Sequence, residues 1–288
     1  RPHAMSVTEI EHWLRDPYTI YAKRILKLTP LDPVDMPLTA ADRGSAIHET
    51  LGEFTARFAD ALPGDVARVL REIGGSHFAP LMDRPEARAL WWPRFLRIAD
   101  WFAGWEHGRR HNVTHVDAET SGRIEIPLDD GSVFTLSARA DRIEHLSQNE
   151  FALLDYKTGN PPSGKQVYLG LSPQLTLEAA ILRDGGFRGI SAGGSVRELV
   201  YVKLSGNNPA GDERVLDLKA NRGDQTQHPD DAADDALREL TALANRYRNA
   251  NEPYASVVLT MWANRYGTYD DLARIKEWSA TGTGGGDE

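Results

Sequence analysis

The chain has 288 residues, a net charge of −9, 41% hydrophobic residues and no cysteine. It is long enough to bury a sizeable core, and no apolar run approaches the ~20 residues that a transmembrane helix needs. The absence of cysteine excludes disulfides, thiolate zinc sites and cysteine-held iron–sulfur clusters. The acidic balance argues against a protein that coats nucleic acid through a broadly basic surface, although local basic segments can still line a channel.

The expected organisation is a single domain over residues 1–280, followed by a disordered tail at 281–288. We expect a helical lobe at about 39–110, a core at about 112–220 and C-terminal helices at 230–280. The N-terminus lacks the basic and apolar layout of a secretory signal, so a cytoplasmic protein without membrane contacts is expected.

Two helices are predicted near the N-terminus. Ser6 and Glu9 have the spacing of a capping box, which predicts that a helix starts there. A second helical stretch, 18–28, follows Pro17, and the segment 28–37 is typical of a loop.

A further helix is predicted to begin at Thr39, because Thr39 and Asp42 form another capping pattern. Residues 63–110 are predicted to be helical with a break at Pro93. Both helical segments carry apolar side chains that share one face of the helix, and in the second segment their three- and four-residue spacing favours core packing over base stacking. These side chains are Ile47, Leu51, Phe54 and Phe58 in the first segment and Trp91, Trp92, Phe95, Trp101, Phe102 and Trp105 in the second.

After residue 112 the pattern changes to alternation between apolar and polar side chains, which predicts three consecutive strands separated by turns at DDGS and SQNE. The rest of the chain predicts alternating helices and strands. The predicted elements are a helix at about 173–183, strands at 195–202 and about 214–218, and a helix at 231–248.

Asp155 and Lys157 stand two residues apart at the end of the third predicted strand. Period-two alternation points both side chains to one face and Tyr156 to the other. The preceding residues, FALL, carry no charge, so a carboxylate and an ammonium emerge together from an apolar strand. A surface Asp–Lys pair is the simpler interpretation of this motif alone, because D-x-K is common by chance.

Asp141 lies near the end of the preceding predicted strand, and the short turn makes the two strands antiparallel neighbours. Asp141 and Asp155 are then at comparable heights. Two adjacent carboxylates repel unless a cation lies between them, and their oxygens suit Mg²⁺ or Mn²⁺. A lysine beside them can position or deprotonate water and offset charge on a pentacovalent phosphate. The pattern therefore predicts phosphodiester hydrolysis.

Four segments together resemble the RecB-type branch of the PD-(D/E)xK nucleases. They are GSAIH at 44–48, ARADRIE at 138–144, LLDYKTG at 153–159 and PQLTLEAAIL at 173–182. In that family a helical histidine precedes a G-x-x-D-R-I-D element, a D-Y-K strand and a Q-L-x-x-Y helix, and the order here is the same. The resemblance implies an α/β (α+β) restriction-endonuclease-like core, with a mixed central sheet flanked by helices, and hydrolysis with one or two cations.

The resemblance also implies roles for individual residues. Asp141 and Asp155 would be metal ligands, His48 a further ligand and the Tyr156 carbonyl a possible one. Lys157 would be catalytic, and Gln174 would orient the lysine or the phosphate. His48 lies about 100° round its helix from Ile47, at the edge of the core face, which suits a side chain that points into a cleft.

Three positions depart from the family pattern. Ala138 stands where the family often has glycine, Glu144 where it often has aspartate and Glu178 where it often has tyrosine. The first two are compatible with the pattern. Glu178 has three open interpretations: contact with a metal, pairing with Lys157, or exposure to solvent.

The ends of the chain resemble the C-terminal nuclease domain of AddB-type subunits of helicase–nuclease repair complexes, as found in alphaproteobacteria. The segments concerned are SVTEIEHWLRDPYTIYAKRILKL and YGTYDDLARIKEW. In many relatives four cysteines hold an iron–sulfur cluster, and Asp16 stands at the first of these positions here. Packing must then hold the two ends together, and the candidates are Trp13, Tyr21, Trp262 and Trp278.

The leading hypothesis is a Mg²⁺- or Mn²⁺-dependent DNA exonuclease domain that forms part of a larger chain and works with an AddA-like helicase–nuclease subunit on single-stranded or unwound DNA. One alternative is a catalytically silent DNA-binding module of the same fold. Another is a stand-alone RecB-like exonuclease that processes mobile or invading DNA.

Overall fold

The computed structural model describes residues 1–30, 37–146, 149–256, 268–275 and 277, and its centre is a mixed six-stranded sheet. The strands are β1 (Ala4–Ser6), β2 (His115–Pro127), β3 (Val133–His145), β4 (Glu150–Lys157), β5 (Ser195–Leu204) and β6 (Gly211–Val215). Their order is β1-β3-β4-β5-β6, and β2 also pairs with β3. The β1–β3 and β4–β5 pairs are parallel and the others antiparallel. The predicted mixed sheet is confirmed.

Eight α-helices surround the sheet in the described ranges. They are α1 (Val7–Arg15), α2 (Pro17–Ile20), α3 (Ala40–Arg57), α4 (Val66–Phe78), α5 (Trp92–Arg109), α6 (Gly164–Tyr168), α7 (Gln174–Arg183) and α8 (Pro229–Arg246). Complete capping boxes at Ser6 with Glu9 and at Thr39 with Asp42 start α1 and α3, as predicted. None of the helices in the described residues has the length and apolar character needed to cross a bilayer.

Some element boundaries differ from the predictions. Residues 63–110 contain two separate helices, and Pro93 lies in the first turn of α5, where its missing N–H costs no hydrogen bond. The last strand is Gly211–Val215, not 214–218, because the hairpin that follows β5 pairs Gly211 with Leu204 and sets the register. The predicted stretch 18–28 is α2 followed by a π-helical turn at Tyr21–Ile25.

The sheet separates two apolar cores, because alternate residues of each strand face opposite sides. On β4, Phe151 and Leu153 join the core under α1, α7 and α8, whereas Ala152, Leu154 and Tyr156 join the core under α3, α4 and α5. The predicted aromatic stripe lies in the second core, where its most buried members are Trp91, Phe95 and Phe102. Core packing is therefore confirmed for this stripe.

Aromatic contacts join the N-terminal segment to the C-terminal part of the chain. The ring centroids of Trp13 and Tyr247 are 4.9 Å apart, and those of Tyr21 and Tyr254 are 5.7 Å apart. Trp13 and Tyr21 thus pack against residues that precede the C-terminal segment YGTYDDLARIKEW. The other two residues of that prediction, Trp262 and Trp278, lie outside the described residues, as does the segment 281–288.

Candidate active site

The hairpin of β3 and β4 brings the two predicted carboxylates together. Arg142 pairs with Leu154 in the antiparallel register, so the next step along both strands sets Asp141 opposite Asp155. Lys157 lies on the same face as Asp155, two residues further along β4. Burial of β4 on both sides explains why Asp155 is only 3% exposed.

Gln174, the first residue of α7, joins Asp155 to Lys157. Its Nε2 donates to Asp155 Oδ1 at 2.5 Å, and its Oε1 accepts from Lys157 Nζ at 3.1 Å. Lys157 Nζ also lies 2.7 Å from Asp155 Oδ2 in an ion pair. The three side chains therefore form a closed cluster, which fixes the lysine next to the carboxylate.

Asp141 makes contacts on the other side of the cluster. His48 Nδ1 lies 3.3 Å from Asp141 Oδ2, and the Tyr156 backbone N–H donates to the same oxygen at 2.9 Å. The Tyr156 ring lies in the core under α3, at an edge-on angle of 81° to the His48 ring. The structure thus brings all six predicted residues to one place at the end of β4.

Glu178 lies one turn beyond Gln174 on α7 and is only 1% exposed. Its Oε1 accepts from Gln174 Nε2 at 3.2 Å. Exposure to solvent, one of the three interpretations of this residue, is therefore wrong. Glu178 belongs to the buried carboxylate cluster.

Burial and mutual repulsion favour the neutral forms of two of these carboxyl groups. Burial, only partly offset by Lys157, and then the charge of Asp141 raise the pKa of Asp155 to about 6. Burial, with further contributions from Asp155 and Asp141, raises the pKa of Glu178 well above its usual range. Crowded carboxyl groups of this kind are stabilised in their charged forms by a cation.

The surroundings favour the charged forms of the two basic groups, His48 and Lys157. Burial alone would lower the pKa of His48, but its hydrogen bond to Asp141 and the charges of Asp141 and Asp155 outweigh burial and raise it. Burial likewise acts against the charge of Lys157, and the Asp155 carboxylate outweighs it, so that the lysine pKa is raised. Lys157 is therefore held as an ammonium.

These residues fit a hard divalent cation, as judged from the chemistry of the donor set. Asp155 Oδ2 is buried, and Lys157 Nζ lies 2.7 Å from it. Two carboxylates and a backbone carbonyl close together are the oxygen ligands that a hard divalent cation prefers. The residues that can hold the ion are His48, Asp141, Asp155 and the Tyr156 carbonyl.

Two charged features near the site are absent from the sequence interpretation. Arg142 is fully buried on the opposite face of β3, where it contacts Glu106 at 2.7 Å and Glu144 at 2.8 Å. The alternation of β3 puts Arg142 and Glu144 on one face, which is a signal for such a pair. Glu106 comes from α5, and the sequence contains no signal for its approach.

Glu119 is the second such feature. It lies on β2 opposite Asp141, at the one step where the β2–β3 pairing between Ala118 and Thr120 is interrupted. Its φ of 51° is in the left-handed region, which costs a non-glycine residue about 1 kcal/mol or more. Its carboxylate lies 2.7 Å from Arg139 Nε. Backbone strain of this kind clusters at functional sites, and here it lies next to the predicted metal ligand Asp141.

The site opens on two clefts that share Arg139. One, of about 410 Å³, is lined by His48, Asp141 and Glu119. The other, of about 760 Å³, runs from Gln174 and Glu178 along a surface that includes three arginines. These are Arg123, Arg139 and Arg188. A chain with a net negative charge thus presents basic side chains beside its candidate active site.

The fold and these side chains define a carboxylate–lysine site at the end of β4, a central strand of the sheet. The sequence model of the PD-(D/E)XK nuclease superfamily matches residues 4–256, and the chain belongs to this family. The superfamily is one of nucleases, which as a class use divalent metal ions.

Two relatives are uncharacterised proteins of Rickettsia. The chain is 29% identical to one from Rickettsia bellii over 220 residues, which is 72% of this chain and 26% of that protein. It is 32% identical to one from Rickettsia conorii over 190 residues, 65% of this chain and 23% of that protein. The chain therefore spans about a quarter of the length of the curated relatives it matches.

Among solved structures, the crystal structure of SSO0001 is similar over 81% of this chain and 96% of that chain, with 14% identity and a TM-score of 0.33. An overlap this low does not by itself establish a shared fold.

Proposed function

We propose that this chain is a Mg²⁺- or Mn²⁺-dependent deoxyribonuclease that removes nucleotides from DNA ends and leaves 5′-phosphate and 3′-hydroxyl products. The observation that carries the proposal is the convergence of Asp141, Asp155, Lys157 and Gln174 at the end of β4. Two carboxylates for a cation and a lysine fixed beside them are the minimum set for hydrolysing a phosphodiester.

Bound cations, held by His48, Asp141, Asp155 and the Tyr156 carbonyl, would supply Lewis-acid stabilisation of the scissile phosphate and a more acidic water. The protein's own groups orient the reactants. Lys157 is an ammonium with a raised pKa, so its role is to donate to a phosphate oxygen or to the attacking water and to offset the charge that develops there. Gln174 holds Lys157 at this position through Oε1.

DNA is the substrate that we infer. The cleft beside Gln174 and Glu178 carries Arg123, Arg139 and Arg188, and arginine is a strong binder of phosphate. Two clefts that meet near the carboxylates give an extended single strand a way in and a way out. A duplex would have to be unwound first.

The biological setting that we propose is a helicase–nuclease complex of double-strand break repair and recombination, in the cytoplasm, with an AddA-like partner that delivers the strand. The RecB-type motif order and the AddB-like chain ends support this placement. The large unmatched part of the Rickettsia proteins is consistent with a nuclease segment that belongs to a longer protein.

The test is cleavage of end-labelled single-stranded DNA with Mg²⁺ or Mn²⁺ by the wild type, Asp155→Ala and Lys157→Ala. We expect metal-dependent release of nucleotides from the ends, lost in both variants. Arg238→Ala is the matched control, because it removes one positive charge from the exposed side of α8. Full activity in either active-site variant would contradict the mechanism.

A titration with Mn²⁺ distinguishes the nuclease from the alternative, a catalytically silent DNA-binding module. If the wild type binds single-stranded DNA but shows no Mn²⁺ binding that depends on Asp155, the chain is a binding module and the nuclease proposal is wrong. We expect Mn²⁺ binding in the wild type and its loss in Asp155→Ala.

A further inference from the structure

A second cluster of ligand-type side chains lies at the other end of the β2–β3 ribbon. His115 at the start of β2 pairs with His145 at the end of β3, and Asp117 follows two residues along β2 on the same face. His145 Nε2 is 2.6 Å from Asp117 Oδ2, and His115 Nε2 is 3.5 Å from Asp117 Oδ1. One ligand atom from each residue lies within 4.8 Å of the others. Atoms this close can bind a single ion.

The orientation of His115 is that of a metal ligand. Its Nδ1 lies 2.8 Å from Oδ1 of Asp60, which is in the loop after α3. A carboxylate only accepts hydrogen bonds, so Nδ1 carries a proton, and Nε2, on the side of Asp117, is the ring atom that can bind an ion. Histidines that bind metals almost always donate their second ring N–H to a carboxylate or carbonyl in this way. Asp60 therefore fixes both the tautomer and the ring position.

We propose that His115, Asp117 and His145 form a binding site for a transition-metal ion of the Zn²⁺ class, with Asp60 as the group that orients His115. Two imidazoles and one carboxylate are the donor set that zinc accepts, with a water or further ligand in the fourth position. Imidazole nitrogen is preferred by zinc over magnesium, whereas the carboxylate-rich site at Asp155 favours Mg²⁺ or Mn²⁺. The two sites therefore differ in metal class.

The cluster is separate from the candidate active site. His145 is four residues from Asp141 along β3, which is about 13 Å in an extended strand. Helix α3 nevertheless connects the cluster with the candidate active site, because it carries His48 and ends at Arg57, shortly before Asp60. An ion in this cluster would tie the end of α3 to the ends of β2 and β3. It would thereby stabilise the placement of α3 on the sheet.

The experiment uses the full chain with Asp141→Asn and Asp155→Asn, so that the candidate catalytic carboxylates do not contribute. We expect one Zn²⁺ per chain by calorimetry, a rise in Tm on adding Zn²⁺, and visible d–d absorption with Co²⁺ as a spectroscopic probe. His145→Gln should weaken Zn²⁺ binding by about 100-fold or more, and Asp60→Asn by about 10- to 100-fold through loss of orientation.

His107→Gln is the control, because His107 lies on α5 and contacts only a carbonyl of its own helix among its described contacts. It should bind Zn²⁺ like the parent. Unfolding of each variant without metal checks that it folds. If His145→Gln does not fold, the Zn²⁺ affinity of Asp60→Asn provides the test. Absence of Zn²⁺ binding in the parent, or equal affinity in His145→Gln, would overturn the proposal. Neither outcome bears on DNA cleavage, which is not measured here.

Discussion

The side-chain amide of Gln174 donates a hydrogen bond to Asp155 Oδ1, with 2.5 Å between the two atoms. The same amide accepts from Lys157, which only a group with a donor and an acceptor can do. Gln174 thereby aligns a carboxylate with a lysine that comes from the same strand. The glutamine is a positioning residue, since it acts on the reaction through these two neighbours.

Gln174→Glu should lower nuclease activity by about 10- to 100-fold, as loss of such supporting contacts commonly does. The substitution keeps the size of the side chain but removes the donor to Asp155 and adds a carboxylate next to Glu178. The measurement is the single-turnover rate of strand cleavage at saturating metal, with Thr226→Ala on the exposed loop before α8 as control. Wild-type rates in Gln174→Glu would show that Lys157 needs no alignment.

The stability of the metal-free protein should fall as the pH rises from about 4 to about 6. The pKa of Asp155 in the folded protein is about 6, against 3.8 when it is unperturbed, so the folded state binds the proton more tightly than the unfolded state. The stabilisation is complete below pH 3.8 and lost by pH 6, and it amounts to about 3 kcal/mol. The raised pKa of His48 adds a loss of the same sign at higher pH.

Urea unfolding at several pH values, with a chelator present, measures this dependence. Asp155→Asn should flatten the slope between pH 4 and 6, and saturating Mg²⁺ should reduce it in the wild type because a cation favours the charged carboxylate. An identical slope in wild type and Asp155→Asn would mean that other groups dominate the acid response.

Arg142→Met should destabilise the fold by about 3 kcal/mol, because it removes the guanidinium that two buried carboxylates share. Each carboxylate keeps one other partner, Arg110 at Glu106 and Arg109 at Glu144. Arg142 contacts Glu106 and Glu144, and all three side chains are fully buried. The matched control is Arg139→Met on the same strand, whose side chain is 67% exposed and should contribute no more than about 1 kcal/mol. Chemical denaturation measures the free energy of unfolding of both variants. A similar loss of stability in the two would contradict the larger role given to Arg142.

Arg188→Ala should weaken binding of single-stranded DNA while leaving the cleavage rate of bound strand unchanged. Arg188 lines the larger cleft and is exposed, so it can meet a phosphate without touching the carboxylates. For a single strand, each phosphate contact contributes about 0.7 to the slope of log affinity against log salt concentration, so removing one contact should make the slope shallower by that amount. Fluorescence anisotropy at several salt concentrations measures this slope. An unchanged slope would place the strand elsewhere.

Much of the candidate site was open to prediction because its geometry is local. Alternation on β4 puts Asp155 and Lys157 on one face, and the antiparallel register of β3 and β4 sets Asp141 opposite Asp155. The capping box at Thr39 starts α3 and so sets the phase of the helix that carries His48. The motif order then associates these residues with Gln174, far along the chain, through family resemblance and not through spacing.

The sequence by itself determined the class of this protein through the order of its four motifs. It also placed most of the strands and helix starts, because strand alternation and caps depend only on neighbouring residues. The tertiary structure decided three further matters. It buried Glu178 among the carboxylates, brought Glu106 from α5 to Arg142, and set His115, Asp117 and His145 next to Asp60. Each of these contacts joins elements distant in sequence, and it depends on how helices pack on the sheet, which no local pattern specifies.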